Sequence, residues 1–144
     1  MSLFKLQIGP VQDFIAQARS TRDLWSGSYL LSWLIAAGIR RLELESHRGV
    51  RLVFPNREEQ PLLEPKRWPT LTDHRTLLTP NFTNIVVAIV PAGIDASAVA
   101  ESVRDAIAGE WDSIWAEVWE NQDFIEGRQR DRFEQQAKNF LSIS

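Results

Sequence analysis

The chain has 144 residues, 44% apolar and 24% charged, with sixteen basic against nineteen acidic side chains and a net charge of −3. That is the length of one domain, and the balance excludes collagen, coiled-coil rods, wholesale disorder and a global basic field for nucleic acid. With no cysteine, no disulfide framework or thiolate metal site can form, and the longest apolar run, Tyr29–Ile39 broken by Ser32, is far short of a bilayer span.

No charged-then-apolar leader opens the chain, so composition predicts a soluble, cytoplasmic domain. Leu3–Ile8 alternates apolar and polar residues, the pattern of a strand with one buried face. Gly9-Pro10 breaks it, and Pro10 is suited to open a helix. Val11, Phe14, Ile15 and Ala18 then recur at helical spacing. Ser20-Thr21 reads as a joint, with Asp23 or Thr21 capping a second helix over about Leu24–Glu45. Leu24, Ser28, Leu31, Ile35, Gly38 and Leu42 form one stripe of that helix, and Trp25, Tyr29, Trp33 and Ala36 a neighbouring one. Two apolar stripes predict a central helix covered on more than one side.

Val50–Phe54 reads as a second strand, stopped by Pro55. Residues 55–80 carry five prolines (Pro55, Pro61, Pro65, Pro69, Pro80) that interrupt every element, so a long connection without structure of its own is expected. Ile85–Val90 is a continuous β-branched run, the pattern of a strand buried on both faces. Asp95 is placed to cap a long helix with Val99, Val103, Ile107, Trp111, Ile114, Trp115 and Val118 on its apolar face. A polar stretch with Gly127, a helical segment around Arg130–Lys138 and an alternating Phe140–Ser144 complete the chain. The frame is βαβ–βαβ with the first helix broken in two. It predicts an α+β, ferredoxin-like fold with an antiparallel sheet backed by helices on one face. That architecture hosts many functions and selects none.

Two segments carry candidate chemistry. At Ile8-Gly9-Pro10-Val11-Gln12, free N–H groups at a helix start attract anions and Gly9 permits close approach, although strand–Gly-Pro–helix is also ordinary punctuation. No Walker Gly-Lys-Ser/Thr occurs. From Ala18 to Ser28, Arg19 and Arg22 lie among hydroxyls and Gly27. Guanidinium forks suit phosphate oxygens; alternatively Arg22 pairs with Asp23, while Gly27 and Ser28 serve helix packing.

The remaining polar residues point to no catalytic constellation. His47 and His74 are far apart, and Asp73-His74 alone makes a weak metal pair. There is no His-Asp, His-Glu-x-x-His or Gly-x-Ser-x-Gly. Glu110, Asp112, Glu117, Glu120, Asp123 and Glu126 are expected on solvent faces. Trp111, Trp115 and Trp119 stand at i, i+4 and i+8, and suit either a core or an interface with another domain.

From Ile8 to Ser32 the sequence reads Gly-Pro-Val-Gln-Asp-Phe-Ile, then Ala-Arg-Ser-Thr-Arg-Asp-Leu-Trp, then Gly-Ser-Tyr-Leu-Leu-Ser. This nearly continuous run resembles the start of the cyclase-like region in the large subunit of type III-B CRISPR effector complexes, the Cmr family. Phe54-Pro55, Pro80-Asn81-Phe82 and Gln135–Ser144 are also similar to the family's pattern, and residues 56–78 are the least similar.

The resemblance implies a subunit with two cyclase-like palms. The second would use Gly-Gly-Asp-Asp and divalent metal to turn ATP into cyclic oligoadenylates, and an upstream His-Asp domain would cut DNA. This chain has no Gly-Gly, no His-Asp and no cysteine for the family's zinc site. It resembles the first, non-catalytic palm. Metal-binding cyclases place an acidic residue after the first strand, where this sequence has Ile8-Gly9-Pro10. Residues 1–144 are therefore expected to be one palm domain of a larger subunit, with a Pro-rich insertion at about 55–80. The implied partners are the second palm, other Cmr subunits and, indirectly, guide and target RNA. Gly9, Gln12, Arg22, Ser26, Gly27 and Ser28 are the residues the resemblance and their own chemistry place nearest a nucleotide cleft. The competing expectation is a structural docking module that never touches nucleotide.

Overall fold

The computed structural model describes residues 1–58, 60–71, 75–121 and 128–144. The Asp73-His74 pair, the carboxylates Asp123 and Glu126, the break at Gly127 and the side chain of Phe14 lie outside the described residues. The elements are β1 (Ser2–Gly9), α1 (Val11–Gln17), α2 (Thr21–Glu43), β2 (Arg51–Phe54), β3 (Ile85–Val90), α3 (Ala96–Glu120), α4 (Arg128–Phe140) and β4 (Ser142–Ile143). Among the described residues the strands form one four-stranded sheet, ordered β2-β3-β1-β4 with every pairing antiparallel. The fold is α+β, with the first helical region divided in two at Ala18–Ser20.

Pairing register decides which side chains are buried. Phe4 lies opposite Ala88 and Leu6 opposite Val86, and all four are buried, with Ile8 and Val90 continuing the same face. Against it pack Leu34, Ile35, Ile39 and Leu42 of α2 and Val99, Val103 and Ile107 of α3. The other face carries Leu3, Lys5 and Gln7 opposite Ile89, Val87 and Ile85. Leu3 there is 72% exposed. β3 is thus buried on one face only, contrary to the pattern of its β-branched run. That run favours a strand whatever covers it, and the core helices pack on the even-numbered face alone. In β2 the register slips between Leu52 and Phe54, leaving Val53 as an extra, exposed residue on the sheet edge.

The seam between α2 and α3 is tight at Gly38. A Cβ built there would sit 2.8 Å from Ile107 Cδ1 and 3.3 Å from Val103 Cγ1. Only hydrogen fits, so glycine's helix penalty is offset by closer approach of the two helices. Asp95 caps α3 as the sequence predicts, accepting from the N–H groups of Ser97 and Ala98. The α3 tryptophans meet α4: Trp111 Nε1 donates to the Ala137 carbonyl, and Trp115 and Trp119 pack on Phe133. Glu110, expected at a solvent face, instead accepts from Trp33 Nε1 and joins α3 to α2.

The proline-rich stretch is not without structure. Pro61–Leu63 and Pro65–Thr70 are short 3₁₀ segments, with Pro61 and Pro65 at their starts. A proline's fixed φ suits the first residue of such a turn, so these two prolines initiate elements and do not interrupt them. Leu62 and Leu63 enter the core. The Arg40 guanidinium holds the Leu62 carbonyl at 2.7 Å, and Trp68 Nε1 holds that of Pro61. Ser32, wholly buried, ties down the run before β3 by accepting from the Phe82 N–H and donating to its carbonyl.

Candidate functional site

The candidate residues fall on the β1–α1 turn and the first two turns of α2. Gly9 ends β1, paired with Ser142. Next to it, Ile8 is clamped by Asn84: its N–H donates to the Asn84 carbonyl, and Asn84 Nδ2 donates to its carbonyl. A Cβ on Gly9 would meet nothing within 4 Å, so its backbone is open to approach. Pro10 sits in extended conformation just before α1 rather than inside it. Gln12 is exposed in the first turn of that seven-residue helix.

At the joint between helices the cap is Ser20, not Asp23 or Thr21. Ser20 Oγ accepts from the Asp23 N–H at 3.2 Å, and Asp23 Oδ2 accepts from the Arg19 N–H at 3.0 Å. Asp23 is thus engaged in capping and makes no ion pair with Arg22; Ser20, one residue earlier, has the extended backbone that a capping hydroxyl needs. The side chains of Arg19 and Arg22 are exposed and have no hydrogen-bond or ion-pair partner among the described residues.

The structure divides the α2 candidates between two sides. Gly27 and Ser28 line a cavity of about 30 Å³ against α1, with Val11, Ile15, Leu24 and Leu31. The Ser28 hydroxyl donates to the Leu24 carbonyl, one turn back along its own helix. Arg22 and Ser26, at 100° per residue, share the other side with Tyr29 and Trp33, beside Trp25. Here sequence reasoning missed a feature. Trp25 stacks on Tyr29 at 5.4 Å and 17°, Tyr29 meets Trp33 at 6.4 Å, and Trp33 meets Trp68 at 5.5 Å. Arg40 lies over Trp33, 5.7 Å from the ring centre. Burial lowers the Arg40 pKa, against the opposing pull of Glu110 and Glu43, and burial raises that of Tyr29. The stripe is covered at its inner end, but Trp25 is 41% exposed. Arg22, three residues before Trp25 and seven before Tyr29, was the available signal that this stripe reaches solvent.

Among the described residues no group of three or more His, Cys, Asp or Glu is placed to hold a metal ion, and no helix is long and apolar enough to cross a membrane. A family model described as "CRISPR-associated protein Cmr2, N-terminal" matches residues 3–116. The chain belongs to that family. The match runs from β1 into α3 and includes all six candidate residues and the aromatic ladder. Over 107 residues the chain is 30% identical to the CRISPR system Cmr subunit Cmr2 of Pyrococcus furiosus. The aligned part is 74% of this chain and 12% of the relative, so the chain spans about an eighth of the curated protein it matches.

Proposed function

We propose that this Cmr2 N-terminal region is a ferredoxin-like palm, non-catalytic by itself, that serves as scaffold and as one half of an ATP cleft. The family match over residues 3–116 carries the reading. The topology supports it: β1 and β2 run parallel with antiparallel β3 between them, and β3 and β4 likewise flank β1, which is a split βαβ arrangement. In this reading residues 1–144 form one palm domain, and the 55–80 stretch is an insertion in it. A second palm of the full subunit faces this one, supplies the divalent metal and makes cyclic oligoadenylate. Other Cmr subunits surround the pair, and guide and target RNA reach it through the complex.

The present chain contributes binding and orientation. Arg22 offers a two-pronged donor to phosphate oxygens, Gly9 leaves its backbone open, and Gln12 and Ser26 add exposed polar groups. Gly27 and Ser28 line the contact between α1 and α2, and in this reading they edge the cleft together with the other four. Arg22→Ala combined with Ser26→Ala in the assembled complex tests the reading. Nucleotide binding should fall with assembly intact. Efficient cyclic oligoadenylate synthesis by the isolated chain would sink it.

One observation favours a second reading, that of a docking module without nucleotide contact. The uncovered sheet face and its β2 edge present Leu3, Val53 and Phe54, all at least 42% exposed, and such apolar surface commonly meets a partner. Loss of assembly with unchanged nucleotide binding in Leu3→Ser combined with Val53→Ser supports docking.

A further inference from the structure

The aromatic ladder on α2 is fixed at one end and open at the other. Trp33 is held by its N–H bond to Glu110 and by Arg40 over its ring, and Trp68 by its N–H bond to Pro61. Tyr29 is sandwiched between Trp25 and Trp33. At the outer end, no ring other than Tyr29 contacts Trp25 among the described residues, and no cation lies over it. Arg22 and Trp25, three residues apart, are surface neighbours on α2. An exposed guanidinium with no partner among the described residues thus stands one turn before an exposed, pre-stacked indole, and Arg19 lies just ahead of the helix.

This arrangement suits a single planar group carrying negative charge. Tyr29, Trp33 and Trp68 are each engaged by a neighbouring ring, the last two contacts tilted, so Trp25 is the one ring of the ladder left to take a base, not one of the run that an extended single strand uses. A further ring laid on the exposed Trp25 would extend the stack. Because the ladder is anchored, seating that ring orders little that is not already ordered. We infer that Trp25 is the base-stacking platform of a purine-nucleotide site, with Arg22 reaching the phosphates. This rests on the ATP-cleft reading and adds to it the residue that recognises the base. A purine covers more of an indole than a pyrimidine does, so the platform also sets preference for ATP over CTP.

The test is equilibrium binding of ATP and of CTP, with magnesium, to the full-length subunit carrying Trp25→Leu or Trp25→Phe. Leucine keeps apolar bulk without a ring, and phenylalanine keeps a stacking face. Trp25→Leu should weaken ATP about tenfold and CTP less, collapsing the preference, while Trp25→Phe retains most of it. Arg22→Ala should weaken both nucleotides alike and adenosine very little. If Trp25→Leu binds ATP as tightly as the unsubstituted subunit while Arg22→Ala does not, the platform is overturned and the cleft stands. If the unsubstituted subunit binds no ATP, the cleft reading falls as well. Unchanged ATP binding with loss of another Cmr subunit overturns the platform and makes Trp25 a protein contact.

Discussion

The two ends of α2 differ more than any other pair of regions joined by one helix. From Leu31 to Leu42 the helix is walled in, with Leu34, Ile35 and Ile39 sealed from solvent and Gly38 pressed against Ile107. From Thr21 to Trp25 it is exposed, self-capped and carries an arginine with no partner among the described residues. The inner half has the sheet beneath it and α3 beside it, whereas the outer half has the short α1. One continuous helix thus lets a rigid core fix the position of a surface that is itself free to meet something else.

The largest contrast should come from truncating apolar side chains at the two ends. Ile35→Ala should lower unfolding free energy by about 3 kcal/mol, while Leu24→Ala at the exposed end should cost less than about 1 kcal/mol; urea unfolding checks both. A similar cost at both ends would erase the distinction. Gly38→Ala should destabilise by about 1–2 kcal/mol, the overpacking cost less the gain in helix propensity. Adding Ile107→Val removes the Cδ1 that the new methyl meets, so the double variant should regain part of the loss. Ser32→Ala strands both polar groups of Phe82 and should cost about 1–2 kcal/mol by thermal melting. At the outer end, Ser20→Ala should cost about 1 kcal/mol of cap energy.

The smallest effect is a matter of pH just past the C-terminal end of α2. Glu45 is held below the usual carboxylate range, chiefly by its hydrogen bond from Arg48 and then by the charges of Arg48 and Arg41. A folded-state pKa below the unfolded one adds stability that is complete above the unfolded value and is lost as pH falls through the folded one. The stability difference between the unsubstituted chain and Glu45→Gln should therefore shrink as pH is lowered from 7 toward 3. A difference that stays constant over that range would show that the charge of Glu45 contributes nothing.

What the sequence disclosed depended on how local the cause was. β3 and the Asp95 cap are written in adjacent residues, and both were legible. The one-sided burial of β3 was not, because it depends on where two distant helices lie. Ser20 was masked by Asp23: both are capping residue types, and only the backbone conformation separates them. Glu110 looked like a solvent carboxylate because its partner, Trp33, is 77 residues away. Of the candidate site, Arg22 and Ser26 could be placed by helical spacing on the side that also holds Trp25 and Tyr29. Spacing alone does not reveal that the aromatic stripe runs out into solvent, since the same periodicity describes a buried stripe and an exposed one; the charge of Arg22 on that side is the one local signal.

The attachment of the 61–70 segment has a consequence for redesign. Arg40 of α2 grips it through the main-chain oxygen of Leu62, and its own Trp68 closes it on that of Pro61, groups that every amino acid possesses. Apart from the two leucines that enter the core and Trp68, whose ring meets Trp33, its identity is thus weakly specified by its anchorage. Lys66, Arg67 and Thr70, all exposed, are positions where a fluorophore attachment site or an affinity handle should be accepted without loosening the helix beneath.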